Sequence, residues 1–142
     1  MSFKKKKLQR SIFVLSIAGL LFSGYLSGIK FFSGTCSFNE TCPYVLGYPA
    51  CYYGFFMFLV LFGSSLLMIL KKYKENILHK TIWGVSLAGI LFAGFLSIQE
   101  LFFSSCPGGG CNYGLGLPTC AYGFVVYVTI FVLSSIILCS KK

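Results

Sequence analysis

Four apolar stretches, at about residues 11–32, 52–70, 82–103 and 121–139, take up most of a chain of 142 residues. Each is close to the ~20 residues a helix needs to cross a ~30 Å hydrocarbon core. What lies between them is too short to build a soluble domain with a core of its own. A chain that is 56% hydrophobic and only 11% charged also falls outside the usual range of soluble domains. The expected fold is all-α: a transmembrane bundle of four helices.

The net charge of +9 comes from 12 lysines and arginines against three acids, and the cations are grouped. Lys4, Lys5, Lys6, Lys7 and Arg10 precede the first stretch, Lys71, Lys72, Lys74 and Lys80 flank the link between the second and third, and Lys141 and Lys142 end the chain. With four crossings all three groups fall on one side, as the positive-inside rule requires. Both termini are therefore expected in the cytoplasm, with the chain integral to the plasma membrane. No nucleic-acid partner is expected, because the basic segments carry no interleaved base-reading residues. KKKKLQR followed by an apolar run resembles a secretory signal. The run is longer than a signal's apolar core, and the same segment recurs in the third stretch, so a retained helix is expected.

That recurrence extends along the chain. SIAGLLFSGYLSGIKFFSGTC (16–36) aligns with SLAGILFAGFLSIQELFFSSC (86–106), and CPYVLGYPACYYG (42–54) with CNYGLGLPTCAYG (111–123). The chain thus reads as two tandem helix-loop-helix repeats. Segment 1–10 is a basic N-terminus, 11–70 the first repeat with a cysteine-rich outer loop at 33–51, 71–80 a cytoplasmic linker, 81–139 the second repeat with a loop at 104–120, and 140–142 a tail. Each repeat crosses the membrane an even number of times, so the copies run parallel and are expected about a pseudo-twofold axis along the membrane normal. Small residues crowd the first helix of each copy, including Gly19, Ser23 and Gly24, and Gly89, Ala93 and Gly94. Such residues let helices approach closely in lipid, and helices one and three are expected as the inner pair. Lys30 in the first copy is replaced by Glu100 in the second. An ion pair across the axis is one expectation for them, separate snorkelling to water the other.

Six of the seven cysteines fall in or beside the outer loops, where disulfides persist. Cys36 with Cys42 and Cys106 with Cys111 are the local pairs, although six cysteines allow fifteen connectivities. Cys51 and Cys120 each follow Pro-x at the first turn of a helix, where the dipole favours an anion and hence the reactive thiolate. They are the candidate catalytic residues; a structural bridge between them, or two inert buried thiols, is the alternative. Cys139 reads as a reduced thiol at the opposite end. No C-x-x-C is present and the single histidine, His79, has no cysteine near it, so no metal site is expected. Asn39 begins a glycosylation sequon, and Trp83 and Tyr73 suit an interfacial aromatic belt.

GYLSGIKFFSGTCSFNETCPYVLGYPACYYG resembles the first half of the vitamin K epoxide reductase (VKOR) family. Tyr25, Leu26 and Lys30 match the end of that family's first helix, Cys36 and Cys42 its loop pair, and Gly47, Pro49 and Gly54 the start of its second helix. Residues 86–129 resemble the same half again. The resemblance implies a four-helix membrane oxidoreductase that binds a quinone within the bundle. Electrons would pass between that quinone, loop cysteine pairs and a thioredoxin-like protein on the outer face. Cys36 with Cys42 would be the shuttle pair. The family's C-x-x-C at its last helix is missing here, and Cys51 with Cys120, brought together by symmetry, would replace it.

A quinone-linked thiol-disulfide oxidoreductase is therefore the first functional expectation, with Tyr53, Phe55, Tyr122 and Phe124 as candidates to line the quinone pocket. A non-catalytic membrane subunit or scaffold, capped by structural disulfides, is the second. A small transporter is the third. A bundle of this size also suits assembly with itself or with other subunits.

Overall fold

The computed structural model describes residues 2–33, 44–103 and 119–140. Helix α1 spans Ser2–Ser33, and a two-stranded ribbon follows, β1 at Tyr44–Val45 and β2 at Tyr48–Pro49. Helices α2 (Ala50–Ile69), α3 (Glu75–Phe103) and α4 (Thr119–Cys139) complete the order. All four helices are long and apolar enough to cross a membrane. The protein is an all-α, four-helix integral membrane bundle, as its sequence predicts.

One face of each helix is buried with the spacing of a coiled-coil seam. On α1 the buried positions are Ile12, Ser16, Gly19, Ser23 and Leu26, and on α3 the seam includes Ile82, Ser86, Gly89, Ala93 and Leu96. On α2 the seam includes Phe58, Leu61, Ser65 and Met68, and on α4 Tyr127, Ile130, Ser134 and Ile137. Alternating steps of three and four residues keep such a seam facing its partners along a left-handed bundle. The opposite faces carry exposed Val14, Leu21, Phe56, Leu91, Val125 and Val132. Apolar residues all round a helix are what lipid requires, so the seam is marked by small and hydroxyl side chains rather than by hydrophobicity.

The helices form a ring in chain order: α1 packs mainly on α2 and α3 mainly on α4, while α2 with α3 and α1 with α4 close the square. Helices α1 and α3 therefore stand on a diagonal, and the expectation that they form the inner pair is corrected. The reason is steric. Phe58 of α2 lies against Gly19, Tyr127 of α4 lies against Gly89, and a Cβ on either glycine would overlap the ring. The two rings stack at the centre, 4.5 Å between centroids and 13° between planes. The glycines make room for rings, which reach across the diagonal and keep the small-residue helices apart.

Helix ends are built locally. Leu46 and Gly47, between the strands, both have positive φ, 53° and 86°, the backbone of a tight hairpin turn that matches strand twist. Pro49 stands at the N-cap of α2 with φ −63° and ψ 139°. At the other end of α2 the amides of Lys71 and Lys72 donate to the carbonyls of Met68 and Leu67, both at 3.3 Å. This is a Schellman cap, with Lys71 at φ 51° where glycine is usual.

Candidate functional site

Cys51 and Cys120 are each the second residue of a helix, α2 and α4, at the end of the bundle away from the lysine clusters. That end is tied together by hydrogen bonds. Ser27 Oγ on α1 donates to the carbonyl of Cys51 at 3.2 Å. Tyr53 Oη donates to the carbonyl of Val45 at 3.1 Å, fastening the ribbon to the first turn of α2. The position of Cys51 is thus set both by its own helix and by the end of α1.

Both cysteines line one cavity of about 60 Å³. Gly54 and Gly123, one turn further along α2 and α4, also line it, and a Cβ on either would meet nothing within 4 Å. Phe22 and Phe92 form the walls, from α1 and α3, and Phe58 with Tyr127 the floor. The lining is almost wholly apolar. Its hydroxyls are committed: Ser23 Oγ donates to the carbonyl of Leu20 at 3.2 Å, and Tyr127 Oη to the carbonyl of Gly54 at 3.3 Å. The sulfurs of Cys51 and Cys120 are the groups of this lining with reactive chemistry.

The four aromatic residues expected to line a quinone pocket lie beside the cavity and not on its wall. Tyr53 of α2 packs on Phe92 of α3, centroids 5.6 Å apart, and Tyr122 of α4 on Phe22 of α1, 6.3 Å apart. These two contacts join positions that match in the sequence alignment of the two halves, each across to the other hairpin. Phe55 rests over Gly24 and Phe124 over Gly94, where an added Cβ would come within 3.3 and 3.2 Å of the rings. Tyr53 and Tyr122 thus buttress the walls from outside, and Phe55 and Phe124 hold each hairpin closed. The residues on the wall, Phe22, Phe58, Phe92 and Tyr127, were not singled out from the sequence. A signal for the last pair was there: an aromatic residue at matched positions of α2 and α4, and a glycine at matched positions of α1 and α3.

Cys36, Cys42, Cys106, Cys111 and Asn39 lie outside the described residues, as does the side chain of Glu100, the expected partner of Lys30. Cys139 is exposed at the lysine end. Among the described residues no three His, Cys, Asp or Glu side chains converge into a metal-binding group. No family model, no curated protein and no solved structure matches the chain.

Proposed function

We propose that the protein is a membrane thiol-disulfide oxidoreductase, VKOR-like in chemistry, with Cys51 and Cys120 as its quinone-facing dithiol. The observation that carries this reading is the shared cavity: two first-turn cysteines on different helices open into one apolar space whose other polar groups are already hydrogen-bonded. In this reading the two thiols give up two protons and two electrons as the sulfurs join, and a membrane quinone takes up both to become the quinol. The new disulfide is then reduced by thiolate exchange with a loop pair, Cys36 with Cys42 or Cys106 with Cys111, one S–S bond forming as the other breaks. A thioredoxin-like protein on the outer face would supply the dithiol that reduces the loop pair in turn. The lysine clusters, gathered at the other end, support a topology with both termini cytoplasmic and the loops outside the plasma membrane. The matched ring contacts support a pseudo-twofold arrangement of the two copies.

One observation favours the second reading, a non-catalytic capped subunit or scaffold. The cavity's 60 Å³ is smaller than the roughly 150 Å³ that admits benzene into an apolar protein interior. Under the oxidoreductase reading the ring of the quinone enters by displacing Phe22 or Phe92, the walls.

The test is reconstitution of the full chain in vesicles with a quinone, following quinol formation and mapping alkylated cysteines by mass. The oxidoreductase reading expects Cys51 and Cys120 to disappear together as one disulfide while quinol forms, and C51S or C120S to abolish both. It fails if quinone leaves both thiols alkylatable and the loop bridges all stay closed down to about −300 mV, the range of structural disulfides.

A further inference from the structure

At the lysine end a second, larger cavity of about 360 Å³ lies between the start of α1, the end of α2 and the start of α3. Its lining carries four cations, Lys5, Lys6, Arg10 and Lys71, against one carboxylate, Glu75, an excess of three positive charges. Lys5 Nζ and Glu75 Oε2 pair at 2.7 Å. That bridge ties the first turns of α1 and α3 together across the diagonal and leaves Lys6, Arg10 and Lys71 as the cavity's net charge. Met68 and Ile69, from the last turn of α2, supply an apolar side. Gln9 is also on the wall, and its amide nitrogen Nε2 is buried with no hydrogen-bond partner among the described residues.

We propose that this cavity is a phosphate site filled from the membrane by the headgroup of an anionic lipid. Three observations converge on it. Converging cations without a matching carboxylate call for an anion, and basic pockets between transmembrane helices bind lipid headgroups. A buried amide donor without an acceptor is costly, and a phosphate oxygen supplies one. Lys71 holds a left-handed backbone, φ 51°, that a glycine would adopt without strain, and the residue that stands there instead brings a cation to the cavity. The occupant is a lipid rather than a free ion because the cavity sits at the end of the spans, where the floor of Met68 and Ile69 meets the glycerol and upper acyl region. This site lies at the opposite end of the bundle from the cysteines and does not depend on their chemistry.

The experiment titrates the purified full chain, in uncharged detergent, with short-chain phosphatidylglycerol, phosphatidylcholine and inorganic phosphate, reading bound species by native mass spectrometry. The expected result is one saturable phosphatidylglycerol per chain, at least tenfold tighter than phosphatidylcholine. K6Q, R10Q and K71Q should each weaken it about fivefold, the loss per cation expected at an anionic surface, and Q9L should weaken it several-fold. K4Q and K80Q remove the same charge from exposed positions off the cavity wall, and should change binding by less than twofold. Because Lys6, Arg10, Lys71, Lys4 and Lys80 are all exposed, these variants keep the fold. Equal losses from K4Q and K80Q would reduce the effect to diffuse surface attraction and overturn the site. Inorganic phosphate binding as tightly as phosphatidylglycerol would overturn the lipid as its occupant.

Discussion

The two hairpins, α1 with α2 and α3 with α4, solve the same packing problem with side chains that are alike in shape and different in polarity. Gly19 receives Phe58 and Gly89 receives Tyr127; Gly24 lies under Phe55 and Gly94 under Phe124. Their apolar geometry is nearly interchangeable. Their hydrogen bonds are not. Tyr127 carries a hydroxyl that crosses to the Gly54 carbonyl, whereas Phe58 has none to offer. Ser27 holds the backbone of Cys51, whereas Ser97, at the matching place, has a buried Oγ without a partner among the described residues. Shape thus keeps the two halves in register, while the polar contacts of Tyr127 and Ser27 have no counterpart at Phe58 and Ser97 among the described residues.

The largest effect should come from breaking the shared geometry. G19A and G89A force a methyl group into the central ring stack, and overpacking of this kind costs about 1–3 kcal/mol. Both variants should lower the midpoint of unfolding in denaturing detergent, followed by the fluorescence of the single tryptophan, Trp83, and by similar amounts. A drop in only one of them would show that one ring, and not the stack, holds the centre.

Next come the polar differences. S27A should cost about 0.5–1.5 kcal/mol, the net worth of a hydrogen bond, while S97A should be neutral or slightly stabilising, because it removes a hydroxyl that is buried and unsatisfied. Y127F, which deletes the bond between the halves and keeps the ring, should cost about 1 kcal/mol or less. The same unfolding titration checks all three, and equal losses from S27A and S97A would mean that the two first turns are held alike.

The glycines of the cavity give a smaller effect on stability and a sharper one on function. G54A and G123A place a methyl group in open space and should leave stability unchanged or raised by about 0.5–1 kcal/mol, the helix preference of alanine over glycine. G63A and G84A, which likewise meet nothing within 4 Å but do not line the cavity, serve as controls. In the quinone assay G54A and G123A should slow quinol formation and the controls should not. The smallest effect is at the exposed ion pair: K5Q should cost no more than about 0.2–1 kcal/mol, as partly exposed bridges do, and less in high salt.

The number and rough limits of the spans were readable from hydropathy alone, because lipid tolerates little else over ~20 residues. The matched cysteines at the first turns of α2 and α4 were readable too, since Pro-x-Cys at a helix start repeats in both copies. The cavity wall was harder to read. In a chain apolar on every face, hydropathy does not mark which aromatic points inward. Phe55 and Phe58 look equally apolar in sequence, yet Phe55 closes its own hairpin and Phe58 reaches the centre. The 4-3 spacing of buried serines and glycines was the available guide, and it points to the ring that faces Gly19.

By itself, then, the sequence determined that the chain has four helices long and apolar enough to cross a membrane, that most of its lysines fall in groups, and that its two halves share matched motifs. These follow from composition, charge order and repetition, which act without any knowledge of contacts. Only the tertiary structure decided that α1 and α3 stand on a diagonal, that Phe58 and Tyr127 meet between them, and that Cys51 and Cys120 open into one cavity. The physical reason is that helix order in lipid is set by the fit of rings over glycines, a property of pairs of surfaces that no single helix carries.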